Sequence, residues 1–356
     1  MSRMFVPGPV DVADEVLAAQ TKPMVPHRNK DFEAIFRSCD ERLRKVFFTE
    51  RPVYISTSSG SGLQEAGIRN FANETVLSCV NGAFAKRWYD VAVANGKQAD
   101  KLDVAWGETI QPAQLAAALQ QKKYEVVTIV HNETSTGAVN PVKALAEVVH
   151  QVSPDTLILV DAVSSLAGDK VEMDAWGLDF LLTSSQKCFA LPPGLSFGAA
   201  SERAMKKAET VKFRGWYFDL LLLEKHRSKD STPMTPGMSL IWALDVQLDR
   251  MLAEGMENRF ARHAAMAKTT QDWCIARGMQ PLAAEGFRSH TVSTVQNSRG
   301  MDIAALNAFL KTKSMRIANG YGDLKDKTFR IAHMGEITPA DVEKLLTAMD
   351  EYLKTL

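Results

Sequence analysis

A lysine is nucleophilic near neutral pH only where burial or a neighbouring charge lowers its pKa, and Lys187 stands where the sequence can arrange that. The apolar run 178–182 reads as a buried strand. Ser184, Ser185 and Gln186 lead from it to Lys187, and Pro192, Pro193 and Gly194 then break the chain. Asp161 closes an earlier run, Leu157-Ile158-Leu159-Val160, and lies 26 residues upstream of Lys187. Both side chains therefore belong at the carboxyl ends of parallel strands, where open α/β sheets form their ligand crevice. An amine that can condense with an aldehyde, beside a carboxylate that can keep a ring nitrogen protonated, suits pyridoxal phosphate. Read singly, Lys187 is a loop lysine and Asp161 a helix cap; the pair carries the reading.

The elements that must position this pair begin with Val53–Thr57, which reads as the first main strand. It runs into Ser58-Ser59-Gly60-Ser61-Gly62, with a helix from Leu63. A strand, a loop of small residues and a helix N-terminus offer backbone N–H donors and a positive dipole end to a phosphate. Glu65 stands where a dinucleotide fingerprint would have its third glycine, and no Gly-Lys-Ser/Thr follows for a nucleoside triphosphate. The runs 75–80, 125–131 and 195–199 read as further strands. Phe32, Ile35, Phe36, Cys39, Leu43, Val46 and Phe47 keep helical spacing as a core helix. Amphipathic stretches at 240–254 and 257–277 lead into a smaller α/β half, with strands at 291–295 and 329–332 and a last helix at 340–353.

The segments Val-Asp-Ala-Val-Ser-Ser-Leu at 160–166, Ser-Ser-Gln-Lys at 184–187 and Pro-Pro-Gly at 192–194 resemble the class V aminotransferases of fold type I, especially their alanine/serine–glyoxylate group. The likeness runs from Pro7-Gly8-Pro9 to Phe329-Arg330-Ile331. It implies an α/β fold with a mostly parallel central sheet flanked by helices. A large cofactor-binding domain would span 1–250, its N-terminal segment near the active site, and a small domain 251–356. It also implies roles. Lys187 and Asp161 are catalytic and, with Val163 and Gln186, contact the cofactor; Ser59, Gly60 and Ser61 take its phosphate, and Phe84 stacks on its ring. Thr134 or Ser135 gives a hydroxyl to the ring oxygen. Thr235 reaches the phosphate of a partner subunit, which makes the protein a homodimer with shared sites. Arg330 binds the substrate α-carboxylate, as a planar guanidinium does bidentately, and Gly8 lies near the substrate. His27, Arg28 and Arg214 are further candidates, because some phosphoserine aminotransferases of the class carry a His-Arg pair in a similar position.

The resemblance implies a ping-pong transaminase that moves an amino group from alanine or serine to glyoxylate or pyruvate. Phosphoserine with 2-oxoglutarate is the alternative substrate pair. A cysteine desulfurase is the more distant alternative, and Phe84 stands where that enzyme stacks a histidine; no cysteine here lies in a Gly/Ser-rich loop. Composition agrees with an ordinary globular enzyme. Lysine plus arginine equals aspartate plus glutamate at 42 each, so no net field favours nucleic acid or an anionic membrane. Cys39, Cys79, Cys188 and Cys274 form no Cys-x-x-Cys pair, which points away from zinc and disulfides and toward the reduced cytoplasm. The first residues are too short in apolar run for a signal peptide, and no stretch approaches the ~20 apolar residues of a membrane span.

Overall fold

The computed structural model describes residues 3–355. Its strands, in chain order, are β1 (Arg3–Phe5), β2 (Val53–Ser56), β3 (Thr75–Val80), β4 (Gln98–Asp103), β5 (Val126–Val130), β6 (Asn132–Glu133), β7 (Ala138–Val139), β8 (Leu157–Asp161), β9 (Phe180–Ser184), β10 (Ser196–Ala200), β11 (Val292–Gln296), β12 (Met315–Asn319) and β13 (Thr328–Ala332). Seven of them form one sheet in the order β2-β10-β9-β8-β5-β3-β4. All its strands run parallel except β10, which is antiparallel to both neighbours. The central strands β5, β8 and β9 are buried at every residue, as continuous Val/Ile/Leu runs require when helices cover both faces.

Two apolar clusters cover those faces. One gathers Phe32, Phe36, Leu43, Val46 and Phe47 with Ile158, Val160 and Leu181, and the other gathers Leu63, Phe71 and Trp88 with Leu159, Phe180 and Leu182. Alternate residues of β8 and β9 thus point to opposite layers, the period of two expected of a strand. A smaller sheet, β1-β12-β13-β11, carries a third cluster formed with Trp273, Leu306, Leu345 and Met349. Phe5 of β1 belongs to this cluster. The first strand of the chain therefore packs with its last third, through parallel pairing of Arg3–Phe5 with Met315–Ile317.

Three helices bear on the site, after a short α1 (Asp14–Ala19). The core helix α2 (Lys30–Phe47) starts where the Asn29 side chain accepts from Phe32 N–H at 2.9 Å, and it stops at Phe48 in the left-handed region. Helix α3 (Gly60–Phe71) follows the small-residue loop after β2, and α4 (Ala83–Ala94) follows β3. Strand β4 was not expected. Its residues Gln-Ala-Asp-Lys-Leu-Asp are half charged and mostly exposed, the composition of a guarded sheet edge rather than of a buried run.

Asp40, on the buried face of α2, fixes where the first main strand begins. Its carboxylate accepts from Val53 N–H at 2.7 Å and pairs with Arg44 one turn away. Asp40→Ala leaves that N–H buried and unpaired, and should lower unfolding stability by about 3 kcal/mol in chemical denaturation.

Candidate active site

A cavity of about 210 Å³ opens at the carboxyl ends of β5, β8 and β9, lined by Ser59, Gly60 and Ser61 of the small-residue loop, Phe84 and Arg87 of α4, and Asp161, Val163, Gln186 and Lys187. The two residues on which the sequence reading turned do converge. Asp161 ends β8, with Val163 N–H donating to its Oδ1 at 2.8 Å and Gln64 Nε2, one turn into α3, donating to Oδ2 at 2.7 Å. Neither donor is a cation, and burial pushes the carboxyl up to about 6. Lys187 follows β9 in a turn and is 9% exposed. Burial first, and Arg330 second, pull its amine down to about 8. The Nζ donates to the carbonyl of Pro7. Gly8 takes φ +88°, and a Cβ there would come within 2.7 Å of Lys187 Cδ. Gly8 therefore lies against the lysine, and a side chain at that position would displace it.

The phosphate-type end lies at the start of α3. Ser59 is its N-cap but makes no side-chain cap bond, so its hydroxyl is free to meet a ligand at the helix N-terminus, where Gly62 N–H is already taken by Ser59 O at 2.9 Å. A Cβ on Gly60 would come 2.6 Å from Val163 Cγ2, so the floor here tolerates no side chain. Arg87, which the sequence reading passed over, donates to Ser61 Oγ at 3.0 Å and holds its guanidinium 4.9 Å from the Phe84 ring centroid. Its signal was the spacing of three from Phe84 on one helix face.

Of the two hydroxyls left open, Thr134 lines the cavity, and its Oγ1 bonds Ser164 Oγ at 2.5 Å. Ser135 does not: its hydroxyl donates to Glu133 Oε1 at 2.6 Å and it is fully buried. Glu133 also accepts from the N–H groups of Phe84 and Ala85 at 3.0 and 2.8 Å, so a buried carboxylate holds the start of α4 and with it the Phe84 ring. Burial raises its pKa.

Several candidates lie elsewhere in this chain. Arg28 is exposed and donates to Pro233 O at 3.4 Å, and the His27 carbonyl accepts from Ser231. Both back the 231–237 turn rather than line the cavity. Arg214 is committed to Asp219 and to the carbonyls of Ala208 and Val211 at the end of the 202–210 helix. Thr235 is exposed on the same turn, whose Gly237 N–H donates to Thr57 Oγ1 at 2.9 Å. Arg330 of β13 is buried, its Nε donating to Asn319 O at 3.0 Å; among the described residues no carboxylate pairs with it.

The cavity fits pyridoxal phosphate. It offers a helix N-terminus and an arginine at one end, a low-pKa amine, an aromatic ring on one wall, and a buried carboxylate lacking a cation. Gln64 Oε1, Ser184 Oγ and Gln186 Oε1 are buried there without partners among the described residues, polar atoms that a polar ligand would satisfy. Fold and site together define a pyridoxal-phosphate-dependent transferase of fold type I. The family model for aminotransferase class V matches residues 13–320, and the chain belongs to the class V aminotransferases. It is 38% identical to an uncharacterised aminotransferase of Methanocaldococcus jannaschii over 99% of this chain and 93% of that one. It is 32% identical to an L-aspartate–glyoxylate aminotransferase of Paracoccus denitrificans, over 95% and 87%. The crystal structure of an alanine–glyoxylate aminotransferase from Nostoc superposes with a TM-score of 0.94 at 30% identity, covering 99% of this chain and 96% of that one. The protein is thus a pyridoxal-phosphate-dependent aminotransferase.

The Asp161 carboxyl is raised in the protein alone, and a cation held beside it lowers that value. Ionised Asp161 therefore favours the complex, and affinity for pyridoxal phosphate should weaken as pH falls through about 6. In Asp161→Asn this step should vanish, leaving the titrations of Lys187 and of the ligand's own groups, as measured by fluorescence titration of the cofactor-free protein.

Proposed function

We propose that this aminotransferase moves the amino group of a small uncharged amino acid, alanine or serine, to glyoxylate or pyruvate by a ping-pong reaction. The observation that carries the proposal is Arg330, a buried guanidinium with one backbone acceptor and no carboxylate partner among the described residues, whose charge is felt at Lys187. It suits the α-carboxylate common to every amino and keto acid. Arg87 is the one arginine among the described residues that line the cavity, and it is engaged by Ser61 and Phe84, so no second free arginine lies there for another acidic group on the substrate. The phosphoserine alternative needs such a cation, and Arg28 and Arg214 are turned elsewhere in this protomer. The name of the alanine–glyoxylate structure from Nostoc supports the same donor and acceptor, and that of the L-aspartate–glyoxylate relative supports the acceptor alone.

When bound, pyridoxal phosphate supplies a carbonyl carbon for the amino group and a ring that takes up the electron pair left as the Cα–H bond breaks. Ser59, Gly60, Ser61 and Arg87 would hold its phosphate, Phe84 and Val163 would flank its ring, and Thr134, Gln186 and Asp161 would meet its polar groups. With that group bound, Lys187 Nζ would stand as the base that takes the proton from the substrate Cα and hands it back in the reverse direction. The lowered amine pKa suits both directions of that transfer, since the free base is available near neutral pH. Pro7 and Gly8 cover the lysine and limit its access to water.

The working form is proposed to be a homodimer in which Thr235 of one protomer meets the phosphate site of the other. Phe213 at 93% exposure, with Trp216 and Tyr217 beside it, supports a covered face there. A cytoplasmic location is proposed from four free, buried cysteines; among the described residues no helix is long and apolar enough to cross a membrane.

Alanine or serine with glyoxylate should exceed phosphoserine with 2-oxoglutarate in kcat/KM by roughly tenfold or more. A preference for phosphoserine that disappears in Arg28→Ala would reverse the assignment and place Arg28 at a partner's site. Borohydride reduction of the holoenzyme followed by peptide mapping should fix the cofactor to Lys187 and to no other lysine.

A further inference from the structure

Four planar groups stand in series, starting with Arg87 and Phe84 on the cavity wall and running on to Tyr321 and Arg330. The Arg87 guanidinium lies 4.9 Å from the Phe84 ring centroid, Phe84 lies 5.2 Å from Tyr321 with 36° between the rings, and the Arg330 guanidinium lies 5.5 Å from the Tyr321 centroid. The series joins the phosphate end, where Arg87 bonds Ser61, to the carboxylate end. Tyr321 is its least buried member, at 37% exposure, and its hydroxyl makes no hydrogen bond among the described residues. Its place nonetheless depends on tight local bonding. Asn319 Oδ1 accepts from the N–H groups of Gly320 and Asp326 at 2.7 and 2.9 Å, and its Nδ2 donates to Asp326 Oδ1 at 2.6 Å, which closes the 320–326 turn on itself. The carbonyl of the same Asn319 takes Arg330 Nε. One residue therefore anchors both the turn that carries Tyr321 and the arginine beneath it.

We infer that Tyr321 is a positioning residue for Arg330: its ring face, backed by Phe84, holds the guanidinium in the plane that receives the substrate carboxylate, with Asn319 fixing the other side. Nε is engaged by one backbone carbonyl, and because the guanidinium is a rigid plane its remaining freedom is rotation about Cδ–Nε and tilt about the single Nε–H···O bond, which something flat lying against it restrains. A ring face supplies that restraint without using a donor, leaving both terminal nitrogens for a bidentate carboxylate. A hydrogen-bonding partner in the same place would consume one of them. The inference rests on the carboxylate role proposed for Arg330, and it adds that the π-face, rather than the hydroxyl, does the holding.

The test compares two carbonyl-directed probes on the holoenzyme, aminooxyacetate, which bears a carboxylate, and methoxyamine, which does not. The ratio of their rates, followed by the absorbance of the cofactor, reads carboxylate handling without turnover. Tyr321→Leu, which keeps bulk but no π-face, should lower the aminooxyacetate-to-methoxyamine ratio roughly tenfold, a loss of ~1.4 kcal/mol within the cation–π range. It should raise KM for alanine and for glyoxylate together, with kcat changed by less than about twofold. Tyr321→Phe should stay within about twofold of the parent on every measure. A ratio unchanged in Tyr321→Leu, or lost equally in Tyr321→Phe, overturns the inference. Arg330→Lys separates the two layers of the argument: if its ratio stays at the parent value, the carboxylate role of Arg330 falls. If that ratio drops while Tyr321→Leu matches the parent, only the role of Tyr321 falls. Should Tyr321→Leu lose cofactor absorbance, Tyr321→Met repeats the same substitution of a flexible apolar side chain for the ring.

Discussion

A carboxylate buried without a cation is the constraint around which this molecule is arranged. Asp161 sits at the end of a central strand, where taking an ion out of water costs several kcal/mol unless something compensates. The protein supplies two neutral donors, Gln64 from α3 and the N–H of Val163, and leaves the charge only partly met, so the carboxyl titrates near 6. In the proposed function, a ring nitrogen able to carry a proton would complete the site. The same desolvation acts with opposite sign on Lys187 and makes its amine available at lower pH. One dry, polar crevice thus prepares an acid and a base together, and the apolar layers on both faces of the sheet keep it dry.

Around that pair the wall is built by charge acting on backbone. Glu133, also buried, meets the first N–H groups of α4 and sets Phe84 at the cavity, where a side-chain contact alone would leave the ring free to rotate away. Ser135 serves that carboxylate, which is why its neighbour Thr134 is the hydroxyl left facing the cavity. The order of the polar residues after β5 is therefore a division of labour, one residue bracing the wall and the next lining it.

The site is completed from the smaller sheet and from the start of the chain. Arg330 projects from β13, Asn319 ends β12, and β1 joins this sheet so that Pro7 and Gly8 pass over Lys187. Asn132 of β6, beside the cavity, donates to Ser289 and Thr291 just before β11, a buried polar tie between the segment after β5 and the smaller sheet. Relative movement of these parts would change the distance between Lys187 and Arg330, the arginine proposed to take the substrate carboxylate, so these ties bear on that proposal.

Much of this was legible from residue order because it depends on local rules. A buried parallel strand announces itself as an unbroken apolar run, and the polar residues that follow must lie at its carboxyl end; that places Asp161 at the end of β8 and Lys187 in the turn just past β9. The small residues after β2 can do little but form a tight approach to a helix N-terminus, which places Ser59, Gly60 and Ser61. What sequence spacing leaves open is which of several adjacent polar groups is free, since that depends on partners far away in the chain. Ser135 was indistinguishable from Thr134 until Glu133 claimed it, and Arg214 resembled a ligand until Asp219 and the helix-end carbonyls took its donors. Strand β4 escaped notice because edge strands are charged by necessity, and Tyr321 because a lone aromatic in a polar turn has no period to betray it. Sequence determined the chemistry and the strand ends that bear it; tertiary packing decided which donors and rings are spent on the protein itself and which are left for the substrate, because burial makes every unpaired polar group costly and so forces each one to find a partner.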